Sequence, residues 1–69
     1  MFIRSTSTGE IVVMSDFIDS VKDDILVESL LTKMCIPIDD DIDTVLYYLW
    51  FEDEPSWEVI IKEYGMETY

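Results

Sequence analysis

The chain has 69 residues, 49% of them hydrophobic, and carries sixteen Asp and Glu against four Lys and Arg, with no His, for a formal net charge of −12. That charge repels nucleic acid and anionic membrane and attracts basic protein surfaces. Nine aromatic residues and the high apolar content exclude a solvated acidic tail, which needs low hydrophobicity.

The length allows one domain, residues 1–69, with a thin stability margin. The lone Cys35 cannot form an internal disulfide and fits a reducing compartment. The first residues, Met1-Phe2-Ile3-Arg4-Ser5-Thr6, do not read as a secretion signal. The longest apolar run, Val45 to Phe51, is far short of the ~20 residues that cross a bilayer. A cytoplasmic protein in a bacterial host cell is the expectation.

Residues 1–14 read as a β-hairpin. Phe2-Ile3-Arg4-Ser5-Thr6 and Ile11-Val12-Val13-Met14 are β-prone, and Gly9 supplies the turn's positive φ. A Thr8-Gly9 loop sets Ile3 opposite Met14 and Arg4 opposite Val13. Residues 15–65 read as helical. Ser15 is placed to cap the first helix, with Asp16 in its first turn. Phe17, Ile18, Val21 and Ile25 form one apolar stripe, and Asp16, Asp19 and Asp23 line the opposite face. Leu26, Val27, Leu30, Leu31 and Met34 form a second stripe, rotated to the other side. That rotation favours a break near Asp23-Asp24, with one of the two capping a second helix, over one continuous helix buried on both sides.

Pro37 stops the helix at Cys35-Ile36. Asp39-Asp40-Asp41 is placed to cap the next helix, Ile42 to Phe51, with Ile42, Val45, Leu46 and Leu49 inward. Pro55 suits the first turn of a last helix, whose inward stripe is Trp57, Ile60, Ile61 and Tyr64 and which Gly65 ends. Residues 66–69 read as a frayed tail. The expected fold is α+β, an N-terminal β-hairpin packed on a small bundle of three or four short helices.

No enzyme is expected. Without His the usual base near neutral pH is missing, and Cys35 lies beside Met34 and Ile36 with only Lys33 to lower its pKa. The alternation Asp39, Asp41, Asp43 resembles the start of an EF-hand loop, but Thr44 and Trp50 stand where Gly and Glu are required. No catalytic residue, metal ligand or cofactor is assigned.

The expected function is that of a small acidic inhibitor, of the type phages and mobile elements encode. It would block a basic, nucleic-acid-handling host enzyme or complex, in one form by imitating the charge of DNA. The partner-binding candidates are Asp16, Asp19, Asp23, Asp39, Asp40, Asp41 and Asp43, with Glu52, Asp53 and Glu54 beside an aromatic set on the third helix. In that set Tyr47, Tyr48 and Phe51 fall away from the inward stripe, with Trp50 at its edge. Either the hairpin covers them or they form an exposed patch. As a patch they would anchor the partner together with Trp57, although the spacing also sets Trp57 inward. Alternatives are an immunity protein or antitoxin against a basic toxin, and a homo-oligomeric structural or adaptor subunit joined through the aromatic face.

Overall fold

The computed structural model describes all 69 residues. The fold is α+β, with three strands and four helices in the order β1 (Phe2–Ser5), β2 (Ile11–Val13), α1 (Met14–Val21), α2 (Ile25–Lys33), α3 (Ile42–Glu52), α4 (Glu54–Glu63) and β3 (Met66–Thr68). The strands form one antiparallel sheet in the order β2-β1-β3. The helices pack on one of its faces. Fourteen side chains form the core, with Ile3, Ile18, Val27, Leu31, Leu46, Trp57, Ile60 and Ile61 almost wholly out of water.

The hairpin is present, in a register two residues from the expected one. Ile3 pairs with Val12 and Arg4 with Ile11. The loop is longer than Thr8-Gly9 because Ser5 also organises it. The Gly9 amide donates to the Ser5 carbonyl at 2.9 Å and the Thr8 amide to Ser5 Oγ at 3.3 Å. Gly9 sits at φ 77°, where glycine alone pays no steric penalty. A shift of two keeps the faces, so Ile3 still points into the core.

Met14 is helical, and Val13 holds the position Ser15 was expected to fill, with no side-chain cap. The apolar residue is retained there because Met14 is needed in the core, 3% exposed. Phe17, Ile18 and Val21 are buried as the stripe predicts, and the chain breaks where the stripe rotates. Asp24 caps α2, its carboxylate accepting from the Leu26 amide at 3.0 Å. Ile25, expected on the first stripe, opens α2 instead and is 79% exposed. Val27, Leu30 and Leu31 are buried, whereas Leu26 is exposed.

α2 ends in a Schellman motif. The Cys35 amide donates to the Thr32 carbonyl at 3.1 Å and the Ile36 amide to the Leu31 carbonyl at 2.9 Å. Cys35 therefore occupies left-handed backbone at φ 58°, the place a glycine usually holds. Asp41 stands at the N-cap of α3, but none of Asp39, Asp40 and Asp41 caps it through its side chain. Asp40 accepts from the Asp41 amide and Asp43 from the Thr44 amide, each at 2.8 Å. α4 is capped by Asp53, which accepts from the Ser56 amide and hydroxyl, and Pro55 lies in its first turn.

Residues 66–69 are not a frayed tail. Gly65, at φ 69°, turns the chain back along β1, and its carbonyl accepts from the Thr6 amide at 2.8 Å. Ile3 pairs with Thr68 and Ser5 with Met66, whose side chain enters the core. β2 takes one hydrogen-bonding edge of β1, and the Gly65 reversal brings β3 to the other. No helix is long and apolar enough to cross a membrane.

Candidate functional site, an acidic recess and an apolar face

Every one of the sixteen carboxylates is at least partly in water, since no charged side chain is buried. The sequence separates them into groups, and the fold joins two of these. The end of α1 meets the start of α3, where Lys22, Asp23, Asp41, Ile42 and Asp43 line an open recess of about 300 Å³. Lys22 is its one cation. Its ammonium lies 3.4 Å from Asp19 Oδ1. The Lys22 pKa is held above its ordinary value, first by the hydrogen bond to Asp19 and then by that carboxylate's charge. Desolvation opposes the shift, and Asp43 and Asp23 make smaller contributions that raise it. Asp19 pairs with the ammonium, and Asp23, Asp41 and Asp43 line the recess beside Lys22, which gives the recess a net negative charge.

The other expected acids are distributed differently. Asp16 is exposed in the first turn of α1, and Asp39 and Asp40 are exposed in the linker before α3. Asp24 is engaged twice, capping α2 and accepting from the Tyr64 hydroxyl at 3.0 Å. Burial, then this contact, pushes the Tyr64 pKa up to about 12. Glu52, Asp53 and Glu54 lie at and just past the far end of α3, an 11-residue helix roughly 16 Å long. They are therefore apart from the recess, and Asp53 is used as a cap. No three acidic or thiol side chains converge as a metal site would require.

The aromatic set divides. Tyr48 and Phe51 are 62% and 65% exposed, and the hairpin does not cover them. Tyr47 and Trp50 are half-buried against the core. Trp50 stacks on Phe51, with ring centroids 4.7 Å apart, and meets Tyr47 at 6.2 Å. Trp57 cannot touch a partner. It is wholly buried, edge-on to Phe17, with its indole N–H unpaired.

A second apolar surface was not anticipated. Phe2, Arg4, Ile11, Val13, Glu67 and Tyr69 alternate with the core-facing positions and occupy the sheet face that no helix covers. Arg4 donates to Glu67 and lies over the Tyr69 ring, 5.5 Å from its centroid. Phe2 and Tyr69 also border a recess of about 240 Å³ with Met1, Met14, Thr68 and Trp50, so this face continues round the sheet's end to α3. A sheet with one face in water usually shows polar residues there. The run Ile11-Val12-Val13-Met14, apolar at four successive positions, carried the signal, because a strand with one wet face should alternate. Comparison with known proteins gives no match to a family model, a curated protein or a solved structure.

Proposed function

We propose that the protein is a stoichiometric inhibitor that occupies a basic surface on a nucleic-acid-handling protein of the bacterial cytoplasm. The observation that carries this reading is the recess where Asp23 meets Asp41 and Asp43 beside Lys22, itself paired with Asp19, in a chain with no buried charge and a net charge of −12. Carboxylates fixed on and between short helices present negative charge without the entropy loss a disordered acidic tail undergoes on binding. A cationic channel built for phosphates would receive them for the same electrostatic reason that it receives DNA. Tyr48 and Phe51, exposed on α3, supply apolar contact that charge alone does not. The proposed role requires no catalytic group. The same surface would serve against a basic toxin, and the partner's identity separates an immunity protein from an inhibitor of host machinery.

The test is affinity capture from nuclease-treated bacterial lysate at rising salt, followed by competition of the captured protein with duplex DNA. A basic partner released by salt and displaced by DNA is expected. Replacing Asp41 and Asp43 by Lys should slow association and flatten its salt dependence. A partner that binds this variant as fast as the original, or that DNA does not displace, would overturn the reading.

A further inference from the structure

We infer that the open face of the β2-β1-β3 sheet packs against the same face of a second copy of this chain, forming a two-fold dimer that leaves both acidic recesses in water. The face is neutral in an otherwise acidic molecule, because its only charges are Arg4 and Glu67, already bonded to each other. It thus offers nothing to a basic partner, whose attraction lies at the Asp23–Asp43 recess. It is also where two chains of net charge −12 would meet with least repulsion.

Size supplies a second argument. Domains below ~70–80 residues gain stability from disulfides, a metal or oligomerisation. This chain has one exposed free cysteine and no cluster able to hold a metal. Only fifteen of 69 residues are buried. Association would add to the stability margin.

Area and symmetry fit the same occupant. Phe2 and Tyr69 are 48% and 67% exposed. At ~200 Å² per aromatic side chain these two rings present roughly 230 Å². Met1, Ile11 and Val13, all exposed, enlarge the patch to that of a small, weak interface, below the ~800 Å² per partner of a standard one. A two-fold contact needs a self-complementary surface, and a central Arg–Glu pair ringed by apolar side chains is one. Two such faces stack at ~10 Å, as in a β-sandwich.

The experiment is sedimentation equilibrium of the full chain from micromolar to millimolar concentration, at low and high salt. The expected result is a monomer–dimer equilibrium that tightens as salt screens the repulsion, opposite to the salt response of a basic partner. Ile11→Glu and Tyr69→Ser, both at exposed positions, should each weaken dimerisation at least tenfold while the monomer keeps its circular dichroism. A monomer at every concentration and salt would overturn the inference, as would a dimer that both variants form unchanged. The Asp41→Lys/Asp43→Lys variant should dimerise at least as well as the original. Failure of the inhibitor reading therefore leaves this result standing, and the reverse also holds.

Discussion

Replacing Cys35 by Gly should stabilise the protein. Cys35 is the C′ residue of α2 and sits at φ 58°, held there by the Schellman hydrogen bonds of the Cys35 and Ile36 amides. A non-glycine residue in left-handed backbone costs about 1–2 kcal/mol, from the approach of Cβ to the following carbonyl. Glycine removes that cost but adds flexibility to the unfolded chain, worth about 0.4–1 kcal/mol. The thiol is exposed, so its loss forfeits little packing. The net gain is about 0.5–1 kcal/mol. In a domain of this size each kcal/mol moves Tm by about 4–8 °C, so a rise of roughly 2–8 °C is expected. Thermal melts under reducing conditions measure it. Cys35→Ala is the control, since alanine loses the thiol and keeps the strain, and should stay within about 0.5 kcal/mol of the parent. A Gly variant no more stable than the Ala variant would refute the argument that backbone strain resides at this residue.

Gly65→Ala tests the mirror case. The added Cβ meets only Thr6 Oγ1 at 4.0 Å, so space is not limiting. The φ of 69° costs about 1–2 kcal/mol, and the stiffer unfolded chain returns about 0.4–1, so a net loss of about 0.5–1 kcal/mol should be read as a lower urea midpoint with an unaltered slope. Trp57→Ala should leave the chain unfolded by circular dichroism, because losing a buried Trp costs about 3–5 kcal/mol and a core this small has little more to lose. For Tyr64, whose folded pKa of about 12 exceeds the ordinary 10.0, the stabilisation is complete below pH 10 and fades as pH climbs toward 12. Tyr64→Phe should lose the Asp24 contact and flatten that alkaline fall, so melts of the two proteins should converge as pH rises through that window. Parallel curves would show that the hydroxyl is not held as the structure has it.

The helices were legible because their signals are local. Apolar spacing marked Val45, Leu46 and Leu49, and Trp57, Ile60 and Ile61, as inward residues, and each is buried. The rotation of the stripe after Val21 located the break that Asp24 caps. What escaped the sequence depends on distant partners. Met66-Glu67-Thr68 has no strand signature of its own and becomes a strand because Gly65 delivers it to β1. The cap at Ser15 failed because core packing claims Met14 for the helix, and packing outweighs a cap worth about 1 kcal/mol. The acid clusters were evident as composition, but the recess that Asp23 shares with Asp41 and Asp43 is a property of how α1 and α3 meet. Trp57 is the converse case: its spacing fits the core and its type fits an interface, and burial leaves room for the first alone.

The pairing of β3 with β1 also governs the order in which the molecule assembles. Arg4 and Glu67 stand 63 positions apart, yet the Tyr69 amide reaches the Phe2 carbonyl at 3.4 Å. The hairpin can zip on the microsecond scale, whereas the third strand must wait for a closure whose entropy grows with the logarithm of the intervening length. Splicing residue 69 to residue 1 through a short glycine bridge would make that remote pairing local. The circular chain, reopened at the Thr8-Gly9 turn, would start and finish in the loop between β1 and β2, outside the residues that pair β1 with β3.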